Sequence, residues 1–310
     1  MRASGHVVRE GSRGNPGRNR SDGARPDRTP CRRERTKPGA GPGWPGARLQ
    51  EGALDQPRRP LPTRVSGLPE LPPAYDSALA SGLAVLGLDL DADARHAIDD
   101  HVRLLLAWTG AINLTAIREP PAVALGHVVD SLAAVAPLRA RGITRLLDLG
   151  SGGGFPGIPL AVALPAERAL LVDSVAKKTW FLRTVAEAIG RPGSIVAEAV
   201  RAEALAHDPR DREAWPAVTA RAVATLADLV EVGLPLVKPG GVLVAWKRAP
   251  LNDELAEAEP ALRALNAGPV EVLEAGVPGL DAHRLVIVPR GGRIDPRFPR
   301  DPAERKRRPL

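Results

Sequence analysis

Leu146-Leu147-Asp148-Leu149-Gly150-Ser151-Gly152-Gly153-Gly154-Phe155-Pro156-Gly157-Ile158-Pro159 decides the fold of this chain. The stretch reads as a buried strand carrying an acidic residue, then glycines at alternate positions, then a helix opened by proline. Glycine accepts φ > 0 and lets a ligand approach the backbone closely. Proline suits a first helical turn, where its missing N–H costs nothing. A strand feeding such a loop marks the crevice of an open α/β sheet, where nucleotides bind beyond the carboxyl ends of the strands.

Gly152, Gly154 and Gly157 fit the G-x-G-x-x-G pattern of dinucleotide folds, a weak signal by itself. Asp148, two positions before Gly150, points elsewhere. An acidic residue there is the pattern of S-adenosylmethionine enzymes, whose ligand has a cationic sulfonium and no pyrophosphate. A carboxylate at the strand end would organise the cationic part while bare glycine backbone packs against the rest. Asp173 falls 23 residues after Gly150, at the end of the next strand, where a carboxylate takes ribose hydroxyls. A helix-capping aspartate is the alternative.

Charge is unevenly placed along the 310 residues. Residues 1–66 hold 15 Lys and Arg against six Asp and Glu, with 10 Gly and nine Pro. Residues 290–310 hold eight against three, and residues 67–289 hold 20 against 27. The first 66 residues show no apolar periodicity, so they read as a disordered basic extension or a misassigned start. They lack the apolar region of a secretory signal. Basic ends suit a polyanion such as nucleic acid, and a solvated tail without a partner is the plainer reading. The single cysteine, Cys31, leaves the body without disulfides, Cys-ligated zinc or a cysteine nucleophile, which fits a reducing cytoplasm. No apolar run of about 18 residues stands out, so no membrane span is expected.

Apolar spacing predicts helices from Pro73 to Gly87, from Asp91 onward and from Pro120-Pro121 onward. Strands are expected at 143–149, 169–173, 194–198, 217–221 and 241–247, with helices near 156–164, 175–189, 201–206 and 225–236 between them. A helix at 252–266 and strands near 270–275 and 283–289 follow. The alternation implies an α/β fold of parallel strands with helices on both faces, and seven strands in one sheet result.

Further stretches fall in order along the chain. They are Trp108-x-x-x-Ile112-Asn113-Leu114-Thr115-x-Ile117-Arg118, His127-x-x-Asp130-Ser131-Leu132, Val172-Asp173-Ser174-x-x-Lys177-Lys178-x-x-Phe181-Leu182, Arg201-Ala202-Glu203, Ala220-Arg221-Ala222 and Ala245-Trp246-Lys247. Together with the glycine loop they closely resemble the bacterial 16S rRNA (guanine-N7) methyltransferases, the small-subunit methyltransferase G or glucose-inhibited division protein B family. The resemblance, which runs across about 67–289, implies a Rossmann-like seven-stranded sheet using S-adenosylmethionine, with a small N-terminal helical part (67–140) and a core (141–289); the 1–66 tail has no counterpart in the family, and both it and the basic tail at 290–310 are expected to be disordered. It also implies methylation of N7 of guanine 527 in 16S rRNA, as free RNA or as a 30S particle. No membrane and no obligate protein partner are expected. A methyltransferase of the same fold acting on another RNA, a protein or a small molecule is the alternative.

Guanine N7 is an exposed acceptor without a proton, so no base is needed to create the nucleophile. The enzyme's task is alignment, and no triad and no metal are expected. Gly150, Gly152 and Phe155 should form the cofactor cradle, with Asp173 on the ribose. By the family match Ala202 and Glu203 flank the adenine. Arg221 matches a cofactor-site arginine that would neutralise the methionine carboxylate, an ordinary surface arginine being the alternative. His127, Asp130 and Ser131 lie too close together on one helix for a hydrolase triad and read as helix-surface hydrogen-bonders near the substrate. Asn113 and Thr115 are loop polars that contact RNA or cap a turn. Lys247 is a further substrate-side candidate. Leu71-Pro72-Pro73-Ala74-Tyr75 superficially suggests the Pro-Pro-Tyr loop of amino methyltransferases but precedes the sheet, where that loop would not lie.

Overall fold

Seven strands run in the order β3-β2-β1-β4-β5-β7-β6 in the computed structural model, which describes residues 60–310. They are β1 Arg145–Leu149, β2 Arg168–Asp173, β3 Ile195–Ala199, β4 Trp215–Arg221, β5 Val237–Arg248, β6 Glu271–Glu274 and β7 His283–Pro289. The first five pair in parallel; β7 inserts antiparallel between β5 and the edge strand β6. Helices α6 Gly157–Ala163, α7 Ala176–Ala188, α8 Ala202–His207, α9 Leu226–Gly233 and α10 Asn252–Ala264 make the crossovers, as parallel pairing requires.

Strand period places alternate side chains on opposite faces. Leu146 and Leu171 enter the core shared with the N-terminal helices, while Leu147, Leu149, Leu170 and Val172 enter the core beneath α8, α9 and α10. The N-terminal helices are α1 Pro73–Leu86, α2 Ala92–Thr109, α3 Pro120–Val123, α4 Asp130–Leu132 and α5 Val135–Ala140. Asp91 caps α2 by accepting from the Ala94 amide at 2.7 Å.

The helix expected from Pro120 is not regular. A π-helical turn, Ala124–Val129, separates α3 from α4, and the Asp130 amide reaches back to the Leu125 carbonyl. The extra residue per turn changes which side chains share a face. Among the described residues, Pro120–Ala140 is the one helical stretch long and apolar enough to cross a membrane by those measures alone, and it is mostly buried inside the fold. Its Val123, Val128, Leu132, Val135 and Leu138 are fully buried in the core.

Both ends of the 67–289 body differ from expectation. Most of the 1–66 extension lies outside the described residues, but 60–66 belongs to the fold. Leu61 and Val65 pack on the core, the Trp108 indole N–H donates to the Pro62 carbonyl at 2.7 Å, and Arg103 donates to the Val65 and Leu68 carbonyls. Residues 290–310 are not a disordered tail. Ile294 and Phe298 are buried, Arg300 pairs with buried Glu231, and the chain ends in α11, Pro302–Arg307. A basic composition hid two apolar anchors and an arginine that finds a buried carboxylate.

A chain beginning at Gly67 should be less stable than one beginning at Pro60 by about 1–3 kcal/mol, because it orphans the buried Trp108 indole donor. Urea denaturation of the two chains checks this; equal stabilities would exclude 60–66 from the folded unit.

Candidate active site

The glycine loop joins β1 to α6 above the sheet's carboxyl edge. Gly152 has φ 54°, a left-handed conformation that L side chains rarely adopt. A Cβ there would meet nothing nearer than the Gly150 carbonyl oxygen at 3.7 Å, so the protein leaves that space free. Gly157 answers a different need. A Cβ on it would collide with Leu171 and with the Asp148 carboxylate, so α6 can lie against the sheet only without one.

Asp148 itself is fully buried beneath the loop and lines neither cavity described below. Thr219 donates to its Oδ1 at 2.7 Å, and its Oδ2 has no partner. Burial pushes its carboxyl up to about 6. It therefore organises the loop from within rather than meeting a cationic ligand, as its position in the sequence had suggested.

A cavity of about 700 Å³ opens beside the loop, with Gly150, Asp173, Ala202 and Glu203 in its wall. Asp173, 7% exposed, is held at both oxygens: the Gly152 amide donates to Oδ2 at 3.1 Å and the Val175 amide to Oδ1 at 2.9 Å. Lys178 Nζ stands 3.8 Å away. A carboxylate has about four lone-pair sites, so both oxygens keep capacity for hydroxyl donors. The capping and ribose readings of Asp173 are thus compatible. Glu203 is paired with Arg305 of α11. Two carboxylates and an open glycine backbone suit the hydroxyls and amine of an adenosine.

A second cavity of about 400 Å³ adjoins the first and shares Val223, Ala224 and Leu229 with it. His127, Asp130, Arg221, Trp246, Lys247 and His283 line it. Asp130 is 1% exposed, so it and the fully buried Ser131 are not helix-surface groups. Arg221 Nη1 donates to Asp130 Oδ2 at 2.9 Å and to the Gly126 carbonyl at 3.0 Å. His283 Nδ1 lies 2.8 Å from Asp130 Oδ1, and the Trp246 indole donates to the Asp130 carbonyl at 2.8 Å. Arg221 is neither a free surface arginine nor uncommitted toward a carboxylate ligand; its charge is matched within the protein.

His127 is neutral. Burial first, then the Arg221 guanidinium, holds its imidazolium down to about 3. Arg221 Nη2 lies 2.9 Å from Nδ1 and can only donate, which places the ring proton on Nε2, 2.6 Å from Thr115 Oγ1. Ser131 Oγ donates to the His127 carbonyl at 2.6 Å. Phe155 lines neither cavity but stacks between His127 (4.8 Å) and the buried His101 (4.5 Å), with the Arg221 guanidinium 5.5 Å from its ring centre. Burial holds His101 down to about 4, and its Nε2 meets the Gly153 carbonyl at 2.7 Å. Thr115 therefore supports a histidine, Asn113 is exposed in its loop, and Lys247 is tied to Glu254 at 2.6 Å and to the Ala224 carbonyl.

Sequence reasoning missed His101, His283, Glu231 and Arg305. Each is a single polar residue in an unremarked stretch, and only folding across more than a hundred residues brings His283 to Asp130 or Arg305 to Glu203. Among the described residues, no three His, Cys, Asp or Glu side chains gather as metal ligands.

The family model described as rRNA small subunit methyltransferase G matches residues 95–280. Ribosomal RNA small subunit methyltransferase G of Pelotomaculum thermopropionicum is 36% identical over 235 residues, 75% of this chain and 97% of that protein. The protein of the same name from Leptothrix cholodnii is 41% identical over 218 residues, 69% and 94% of the respective chains. Among solved structures, the O-methyltransferase from Bacillus cereus in complex with SAH is similar at 13% identity and a TM-score of 0.46, covering 69% of this chain and 99% of that one.

Arg221→Ala should destabilise the fold by about 3–5 kcal/mol, because it strands a buried carboxylate. Adding Asp130→Asn should recover part of that loss in denaturant titrations; full additivity would show the pair to be uncoupled. Asp148→Asn should flatten one segment of the pH–stability profile. Folding raises this carboxyl above its ordinary value, so its contribution is complete below about pH 4 and is lost as pH rises through about 6. The wild-type minus Asp148→Asn difference in unfolding free energy should change across that window by up to about 3 kcal/mol. A flat difference would contradict the raised carboxyl.

Proposed function

Because the chain belongs to the rRNA small subunit methyltransferase G family, and is an S-adenosylmethionine-dependent rRNA methyltransferase, we propose that it methylates N7 of a guanine in 16S rRNA, position 527. The observation that carries this reading is the smaller cavity beside the larger one: base-sized, continuous with it, and furnished without a general base. His127 is held neutral with its Nδ1 lone pair taken by Arg221, and Asp130 is shared between Arg221 and His283. Neither is free to take a proton. That suits N7, which carries none, and disfavours exocyclic amines, which must lose one.

The cofactor supplies a methyl group on a positively charged sulfur, a bond that breaks to a neutral leaving group. The chain's residues then align the two reactants, which is worth roughly 7–11 kcal/mol of a barrier. Gly150 gives the ligand access to the backbone, Asp173 takes the ribose hydroxyls, and Ala202 and Glu203 flank the adenine. Asp130 places a carboxylate in the wall of the base pocket, where the purine becomes cationic. His127, Arg221 and Trp246 shape that pocket around it. Gly152 and Phe155 act one layer back, through Asp173 and His127 respectively. The polyanionic substrate, free 16S rRNA or the assembling 30S particle, implies a cytoplasmic setting.

Asp173→Ala should weaken S-adenosylmethionine binding by about 1–3 kcal/mol, read by calorimetry. N7-methylguanine mapping on 16S rRNA from cells with the protein, without it, and with Asp173→Ala tests the substrate. Full modification only with the active chain is expected. Unchanged modification at 527 in the deletion would assign the activity to another RNA, a protein or a small molecule.

A further inference from the structure

The last 21 residues, 290–310, form part of the larger cavity's wall: Pro302, Arg305, Lys306 and Pro309 stand in it with Gly150 and Asp173. They form an arm that reaches this place as a fixed unit. Phe298 is buried, and Arg212 donates to its carbonyl at 2.7 Å. Arg300 grips the buried Glu231 of α9 through two nitrogens, at 2.8 and 2.7 Å. Asp301 then caps α11 by accepting from the Ala303 amide at 2.8 Å.

Arg305 is the residue this arrangement delivers. Its side chain is 10% exposed. Nη2 binds the Glu203 carboxylate, Nη1 lies 3.6 Å from Asp228, and the buried Nε–H has no partner. Arg305 therefore serves the cavity wall through its grip on Glu203, which stands in the same wall. The family match ends at residue 280, before this arm begins.

We propose that the C-terminal arm completes the cofactor site, with Arg305 as a positioning residue that fixes the Glu203 carboxylate for the adenosine end of S-adenosylmethionine. This rests on the reading that Gly150, Asp173, Ala202 and Glu203 hold the cofactor. The guanidinium's planar fork suits the task, because it binds one carboxylate and neighbours another; a lysine ammonium has no such fixed geometry. Both S-adenosylmethionine and S-adenosylhomocysteine carry the adenosine, so the arm should act on both alike.

The test is calorimetric titration of both ligands into the full chain and its variants. Arg305→Ala should weaken both at least ten-fold and raise the cofactor KM with kcat within two-fold of wild type. Arg305→Lys should recover only part of the affinity. Arg307→Ala, an exposed arginine of the same helix outside this cavity, should stay within two-fold. Glu203→Ala combined with Arg305→Ala should bind no worse than the weaker single variant, since the two act as one unit. Arg305→Ala at wild-type affinity, or Arg307→Ala falling as far, would overturn the proposal. Should the alanine chain not fold, Arg305→Lys decides: a loss of three-fold or more supports the role, and wild-type affinity refutes it. Asp173→Ala at wild-type affinity would instead refute the cofactor-site reading itself.

Discussion

One buried carboxylate holds the halves of this molecule together. Asp130 sits on the helical segment that precedes the sheet, yet its partners come from three strands: Arg221 at the end of β4, Trp246 near the end of β5 and His283 at the start of β7. A charge at 1% exposure is tolerable only when fully partnered, and here the cation and the imidazole meet its two oxygens while the indole holds the Asp130 backbone carbonyl. The interaction fixes how the N-terminal helices lie over the carboxyl edge of the sheet. The smaller cavity exists because this arrangement leaves a space between them. The π-helical turn at Ala124–Val129 is the backbone adjustment that brings His127 and Asp130 to Arg221 together.

The same guanidinium sets the chemistry of its neighbours. By donating to His127 Nδ1 it fixes that ring's tautomer and keeps it neutral, and by lying over Phe155 it closes a stack of three flat rings, His101, Phe155 and His127, beneath the loop. Neutral imidazoles can be buried this way; imidazolium rings beside an arginine could not. The glycine loop therefore rests on packed rings.

Charge at the carboxyl end of the chain works by the same rule. Glu231 is almost fully buried and is matched by two nitrogens of Arg300, a bidentate pairing with defined geometry. Glu203 and Arg305 pair at the cavity wall through a single nitrogen. Residues that composition alone assigns to a solvated basic tail are thus half of two ion pairs whose acidic halves lie in α9 and α8. The exposed pairs elsewhere, such as Arg263 with Glu259, add little by comparison.

The architecture was legible because its signals are local. Strand runs such as Leu146–Leu149, the Asp91 cap and the glycine loop each declare themselves within a few residues. The two-residue period of β1 and β2 already divided the side chains between two cores. The loop and the ordered motifs likewise marked Gly150, Asp173, Ala202 and Glu203, which the fold gathers in one cavity. What the sequence by itself could not determine was pairing over distance. Asp148 looked like a ligand-facing acid because it ends a strand, but the pleat turns it under α6. His127, Asp130 and Ser131 looked like a surface face because a regular helix was assumed, and the π-helical turn buries two of them. Arg305 and His283 carry no local signal at all; their partners are 102 and 153 residues away. Local sequence fixes which element forms and which face is apolar. Only tertiary structure decides which buried charge meets which, because that depends on where the crossovers bring the ends of the strands.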